Sequence, residues 1–159
     1  MIKILFVCTG NICRSPLAEG ILREKFKKNK IAAVVDSCGF ESFHIGDHPD
    51  SRAQKVAIKH GIDISTHRAR LFSTHDFDVF DVIYAMDSSH FNNIMRLTRN
   101  GSDRLKVDFV LNVLHPAQNL GVEDPWYHDI KMFEKVYWQL DEACDRIVDK
   151  IISESSQNE

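Results

Sequence analysis

Eight consecutive residues near the start of the chain, Cys8-Thr9-Gly10-Asn11-Ile12-Cys13-Arg14-Ser15, carry the residue types and spacing for anion chemistry. They stand between an apolar run, Ile2 to Val7, and a helical pattern that begins at Pro16. A strand that ends in cysteine, crosses a Gly-containing turn and reaches Arg-Ser before a proline at the first helical position describes an anion cradle. The five residues between Cys8 and Arg14 let the chain curl so that successive backbone N–H groups point inward. The first turn of the helix adds unpaired N–H groups and the positive end of its dipole. Arg14 completes the ring, because its guanidinium fork matches two oxygens of a phosphate-like dianion.

A sulfur at the floor of such a ring, among donors and beside a cation, is favoured as thiolate. Cys8 is therefore predicted to be a nucleophile, and phosphorus held in line with it points to phosphoryl transfer to cysteine. The chain has no G-x-x-x-x-G-K-[ST], so the cradle is not a nucleotide-binding Walker loop. A cation at a helix N-terminus opposes the dipole unless an anion is bound, which favours a functional Arg14. Ser15 suits a helix N-cap and can also donate to the sulfur. Asn11 suits a left-handed turn position.

The elements that must position these residues follow from apolar patterning. Ile2 to Val7 is almost continuously apolar, as in a strand covered on both faces. Pro16 to about Lys28 repeats apolar residues at helical spacing. A second strand is expected over Ala32 to Ser37, ended by Cys38-Gly39, then a long loop, Phe40 to Pro49. Asp50 or Ser51 caps a helix closed by Gly61, and Ile62 to Phe72 reads as irregular. Asp81 to Met86 is a third strand, and Asp87 can cap a helix through about Leu97. Lys106 to Asn112 holds the fourth strand, His115 to Asp129 is a long loop, and a last helix starts near Ile130. Alternating strands and helices imply a parallel α/β sheet covered on both faces, with ligands beyond the carboxyl ends of its strands. Residues 1–152 are read as one domain, and the polar stretch Ser153 to Glu159 as a disordered tail.

At 159 residues and 43% apolar content the chain can bury a core without staples. A net charge of −3 gives no footprint for nucleic acid or an anionic membrane. The N-terminal apolar run is too short for a signal peptide or a membrane span. A cytoplasmic protein with reduced thiols is expected, in which Cys38 and Cys144 are structural.

The stretch CTGNICRSP resembles the signature of the low-molecular-weight protein tyrosine phosphatases. DSCGFESFHIGDHPDSRA is similar to that family's second loop, STHRAR and AMDSSH to its two supporting segments, and EDPWYH to its general-acid loop. The resemblance implies a three-layer sandwich with a four-stranded parallel sheet in the order 2-1-3-4. It implies hydrolysis of phosphotyrosine through a cysteinyl-phosphate intermediate, with no cofactor. By the same resemblance Thr9 to Ser15 hold the phosphate, Asn11 shapes the loop with Ser37 and His67, and Asp87 supports the site. Cys13 becomes a redox partner able to form a disulfide with Cys8.

Transfer to Cys8 needs a proton for the leaving oxygen, and breakdown of the phosphoenzyme needs one taken from water. Asp124 is the candidate for both. Trp126 and Tyr127 beside it, with Phe43 opposite, would wall a slot for a phenyl ring. Serine and threonine side chains are too short to reach the sulfur of such a slot. His44 and His48, with Asp47 and Asp50, lack the thiolate partners of a zinc-like set, so no metal is assigned. The expected partner is a phosphotyrosine-containing protein, and the expected state a monomer, with weak dimerisation open.

Two related chemistries share the cradle. A thiol-linked arsenate reductase needs further cysteines around residues 80 to 90, and Phe80 to His90 contains none. A protein-arginine phosphatase resembles this chain but has Thr where Ile12 stands and lacks the second aromatic of Asp-Pro-aromatic-Tyr, so Ile12 and Tyr127 favour phosphotyrosine. A non-catalytic phosphate-binding module would have lost Cys8 or Asp124.

Overall fold

Strand β1 (Ile2–Val7) runs through the middle of the protein, in parallel pairing with β2 (Ala33–Cys38) on one side and β3 (Val82–Ala85) on the other. Strand β4 (Val107–Phe109) pairs in parallel with β3, which gives the order 2-1-3-4. This computed structural model describes residues 1–158. The four-stranded parallel sheet and its strand order agree with the α/β expectation.

Side chains alternate across a strand, and β1 is apolar on both faces because both are covered. Ile4 and Phe6 pack against α1 (Arg14–Lys28), α2 (Ser51–Lys59) and α6 (Ile130–Gln157). Leu5 and Val7 face a second cluster with Phe72, Phe77 and Phe80, around α3 (Asp76–Val79) and α4 (Ser88–Leu97). Each fully buried Leu, Ile or Phe contributes about 1.5–3 kcal/mol relative to exposure. Along α6, Phe133, Val136, Leu140, Ala143 and Ile147 form one buried stripe, and Cys144 packs its sulfur toward Ala18 of α1.

The strands are shorter than their apolar runs. β3 stops at Ala85, and the chain after β4 turns into a 3₁₀ segment, Val110–Val113, where a strand to Asn112 was expected. A short helix, α5 (Gly101–Leu105), precedes β4. Ser153 to Gln157 correct the expectation of a disordered tail, because α6 continues through Gln157 as exposed helical turns. Glu159 lies outside the described residues. Among them, no helix is long and apolar enough to cross a membrane.

Candidate active site

The cradle lies at the carboxyl end of β1, the central strand. Cys8 continues the ladder, donating its N–H to the Cys38 carbonyl at 3.2 Å. The chain then turns through Asn11, which takes the left-handed conformation (φ 57°), and enters α1 at Arg14. The carbonyls on the way face outward and are taken by neighbouring loops. Thr9 O accepts from Phe40 N–H and Glu41 N–H, and Ile12 O from Asp50 N–H at 2.8 Å. Asn11 O accepts from His67 Nε2. By contrast, the N–H groups from Thr9 to Ser15 donate to no acceptor among the described residues. Unpartnered backbone donors are rare, and a consecutive set that leads from Cys8 into a helix N-terminus suits an anion.

A buried hydrogen-bonded chain fixes this loop. Asn11 Nδ2 donates to Ser15 Oγ and to Ser37 Oγ, both at 2.9 Å, while Asn11 Oδ1 accepts from Arg70 N–H and His67 Nε2. Ser37 Oγ donates to Glu19 at 2.9 Å. Ser15 Oγ, which accepts from the amide, lies 2.8 Å from Cys8 Sγ and 3.5 Å from Cys38 O, so its own proton can turn to the sulfur when the sulfur is a thiolate. Ser15 is thus inside the first turn of α1, with no capping role; the N-cap is Cys13, which makes no side-chain cap. Burial would raise the Glu19 carboxyl, yet His67, Arg23 and Ser37 together bring it below the usual carboxylate range. A β-carbon at Gly39 would stand 2.6 Å from Thr9 O and 3.0 Å from Asn11 N, so only glycine fits beneath the turn.

Arg14 is 3% exposed at its side chain. Its Nη1 donates to Asp87 Oδ2 and to Val122 O, each at 2.9 Å, and its Nη2 to Thr9 Oγ1 at 3.3 Å. Asp87 also caps α4 through Ser89 N–H and His90 N–H. Burial alone would raise the Asp87 carboxyl, but Ser89, His90 and Arg14 outweigh it and bring it down to about 2. Asp87 is therefore both helix cap and guanidinium support.

The loop bearing Asp124 is tied at two points. Val122 N–H donates to Met86 O at the end of β3, and Arg52 of α2 donates to the carbonyls of Trp126 and His128. Arg52 is itself clamped by both oxygens of Asp50 and lies 4.5 Å over the Phe133 ring. Asp124 Oδ2 comes to 3.6 Å from Arg14 Nη2. Its other oxygen accepts from Trp126 N–H.

Together these elements enclose a cleft of about 280 Å³ with Cys8, Thr9, Gly10, Ile12, Cys13 and Arg14 at its base. Asp124, Trp126 and Tyr127 form one side, Glu41 and His44 the other. Asn11 and Ser15, both fully buried, shape the base from behind. Phe43, expected as the opposite wall, is 83% exposed and does not line the cleft; it packs edge-on against His44, whose ring does line it and meets the Trp126 ring at 5.8 Å. In the 3₁₀ turn Ser42–His44 one step along the chain decides which ring faces inward, and composition carries no signal for that. His44 and Asp50 also have partners of their own, Asp47 and Arg52. All four cysteines are free and buried, and burial, followed by Cys8 and neighbouring carboxylates, raises the Cys13 thiol far above its ordinary value. His90, Glu19, Arg52 and Val122 escaped the sequence reading, since each joins the site across a long separation in the chain.

Comparison with known proteins agrees with this geometry. The family model described as low molecular weight phosphotyrosine protein phosphatase matches residues 3–157. The low molecular weight phosphotyrosine protein phosphatase of Schizosaccharomyces pombe is 44% identical over 142 residues, covering 87% of this chain and 90% of that one. A crystal structure of a protein tyrosine phosphatase from Entamoeba histolytica, with Hepes in its active site, superposes with a TM-score of 0.90 at 30% identity, covering 98% of this chain and 99% of that one. A Drosophila arginine phosphatase superposes at 0.87 with 32% identity, covering 94% and 98%.

Proposed function

The chain belongs to the low molecular weight phosphotyrosine protein phosphatase family and is a protein tyrosine phosphatase acting on phosphoproteins, and we propose that Cys8, Arg14 and Asp124 carry its chemistry. The observation that supports this division most strongly is the run of N–H groups from Thr9 to Ser15 that find no acceptor among the described residues, in the loop that lines one cleft with Cys8. Three equatorial phosphoryl oxygens would take these donors and the Arg14 fork, leaving phosphorus in line with Sγ. Sulfur forms the S–P bond as the aryl oxygen leaves, and Asp124 supplies that oxygen's proton. Asp124 then takes a proton from water, which attacks phosphorus and expels Cys8 as thiolate. The Ser15 hydroxyl, turned to the sulfur, stabilises that leaving thiolate.

Trp126, Tyr127 and His44 suit a phenyl ring above the sulfur. The likeness to an arginine phosphatase makes phosphoarginine the substrate to compare. Ile12, an apolar residue lining the base, and Tyr127 on the wall favour phosphotyrosine. Phosphate release from matched phosphotyrosine and phosphoarginine peptides, in reducing, metal-free buffer, tests this reading. The tyrosine peptide is expected to turn over faster, and preference for the arginine peptide would reverse the assignment.

The reading extends to setting and regulation. Four free thiols suit a monomer working in the reducing cytoplasm. Cys13 lines the same cleft as Cys8. Peroxide oxidising Cys8 to the sulfenic acid would let the Cys13 sulfur displace water and close a disulfide, which thiols reopen. An intramolecular Cys8–Cys13 crosslink in peroxide-treated protein is the expected product. Its absence would remove this role.

A further inference from the structure

His90 stands on the first turn of α4, 2% exposed, with no part in the chemistry above. Its Nε2 lies 2.7 Å from Thr9 Oγ1, across 81 positions of sequence. The same hydroxyl oxygen receives Arg14 Nη2 at 3.3 Å. A guanidinium only donates, so Thr9 Oγ1 must accept from it, and the single Thr9 proton is left for another acceptor. His90 Nε2 is the acceptor in reach. That requires the proton of a neutral His90 to be on Nδ1, which faces Asp87 Oδ1 at 3.2 Å. The direction there is not that of a hydrogen bond, and Nδ1 is the one buried side-chain polar atom without a partner among the described residues. A carboxylate at that distance still favours N–H over a lone pair.

Burial is the main reason that the imidazole's pKa falls to about 4, with Arg14 acting the same way and Asp87 and Asp124 opposing. A place at a helix N-terminus also disfavours the cation. The neutral ring therefore persists while the enzyme works. We propose that His90 is a positioning residue of the phosphate cradle, its Nε2 holding the Thr9 hydroxyl so that Thr9 Oγ1 presents a lone pair to Arg14 and fixes the guanidinium toward the phosphoryl oxygens. Asp87 and Val122 hold Nη1 and Thr9 holds Nη2, so the two ends of the fork are set independently. This inference rests on the phosphatase reading of the same site.

The test compares His90→Leu, His90→Gln, His90→Asn, Thr9→Val and the double variant Thr9→Val/His90→Leu. The readouts are kcat and KM on an aryl phosphate and, separately, the affinity for orthovanadate measured by titration. His90→Leu is expected to lower kcat about tenfold and weaken vanadate several-fold, as expected for losing a hydrogen bond that orients a charged group. His90→Gln, whose amide oxygen reaches the Nε2 position, recovers most of the loss. His90→Asn, which reproduces only the Nδ1 edge, does not. Thr9→Val matches His90→Leu, and the double variant loses no more than either. Equal behaviour of Gln and Asn, additive losses, or a fully active His90→Leu would overturn the proposal. Should His90→Leu fail to fold, Thr9→Val decides: wild-type kcat and vanadate affinity there would overturn it as well. Inactive wild-type protein would instead refute the phosphatase reading, which separates the two failures.

Discussion

Arg14 Nη2 lies 3.6 Å from Asp124 Oδ2, so the proposed clamp for the phosphoryl oxygens and the proposed proton donor for the leaving oxygen share one corner of the cleft. An incoming dianion competes for the guanidinium and leaves the carboxyl facing the scissile P–O bond.

Asp124→Asn should therefore slow cysteine phosphorylation by about 10²–10⁴-fold for phenols of high pKa. For phenols of low pKa, which leave without a proton, the loss should be much smaller. Pre-steady-state release of a graded series of phenols reads the difference. Equal slowing across the series would remove Asp124 from the acid role.

Ser15→Ala removes the hydroxyl 2.8 Å from Cys8 Sγ. A hydrogen bond to a charged group contributes about 1.5–3 kcal/mol, which corresponds to roughly a 10- to 100-fold loss in expulsion of the thiolate. The phosphoenzyme should accumulate, seen as a full burst of phenol followed by slow turnover. A loss of burst rate with an unchanged steady state would place the serine's effect on attack instead.

His44→Ala should raise KM for aryl phosphates several-fold, because an aromatic contact in the wall contributes about 0.5–1.5 kcal/mol. Phe43→Ala, outside the cleft, should change KM less than twofold. Steady-state kinetics on phenyl phosphate compare the two directly, and the reverse order would restore Phe43 as the wall.

Stability should fall as pH drops from about 6.5 to about 4. The His90 imidazole is lowered from 6.5 to about 4, first by burial. Across that window the unfolded chain binds a proton that the folded chain refuses, so acid favours unfolding, by roughly 3 kcal/mol at the lower end. His90→Gln should flatten this part of the profile in urea denaturation. Asp87 acts in a lower window: its stabilisation is present above its ordinary 3.8 and lost as pH falls toward about 2. Identical slopes for wild type and His90→Gln between pH 6.5 and 4 would mean that His90 is not held neutral.

How much of this was legible in the sequence depends on how local each feature is. The Cys8-to-Ser15 loop declares itself because strand, nest, arginine and helix start are contiguous, and the Asp50 and Asp87 caps are visible for the same reason. The sheet order came from family resemblance, since periodicity shows strands but not their neighbours. What stayed hidden lies in contacts between distant segments. His90 reaches Thr9, Glu19 reaches Ser37 and Arg52 reaches the Trp126 carbonyl, each through a polar side chain with no periodic signature. The choice between Phe43 and His44 is a matter of one residue's rotation in a 3₁₀ turn. The end of α6 was missed because its last turns are polar and continue a helix whose buried stripe has already ended.

The most direct test of the central claim is to quench the enzyme rapidly during turnover of an aryl phosphate and locate the phosphoryl group by mass spectrometry. Attack by Cys8 predicts phosphate on the Cys8 peptide of the wild type, in amounts raised by Ser15→Ala, and neither adduct nor turnover in Cys8→Ser. Phosphate on another residue, or turnover surviving in Cys8→Ser, would contradict it.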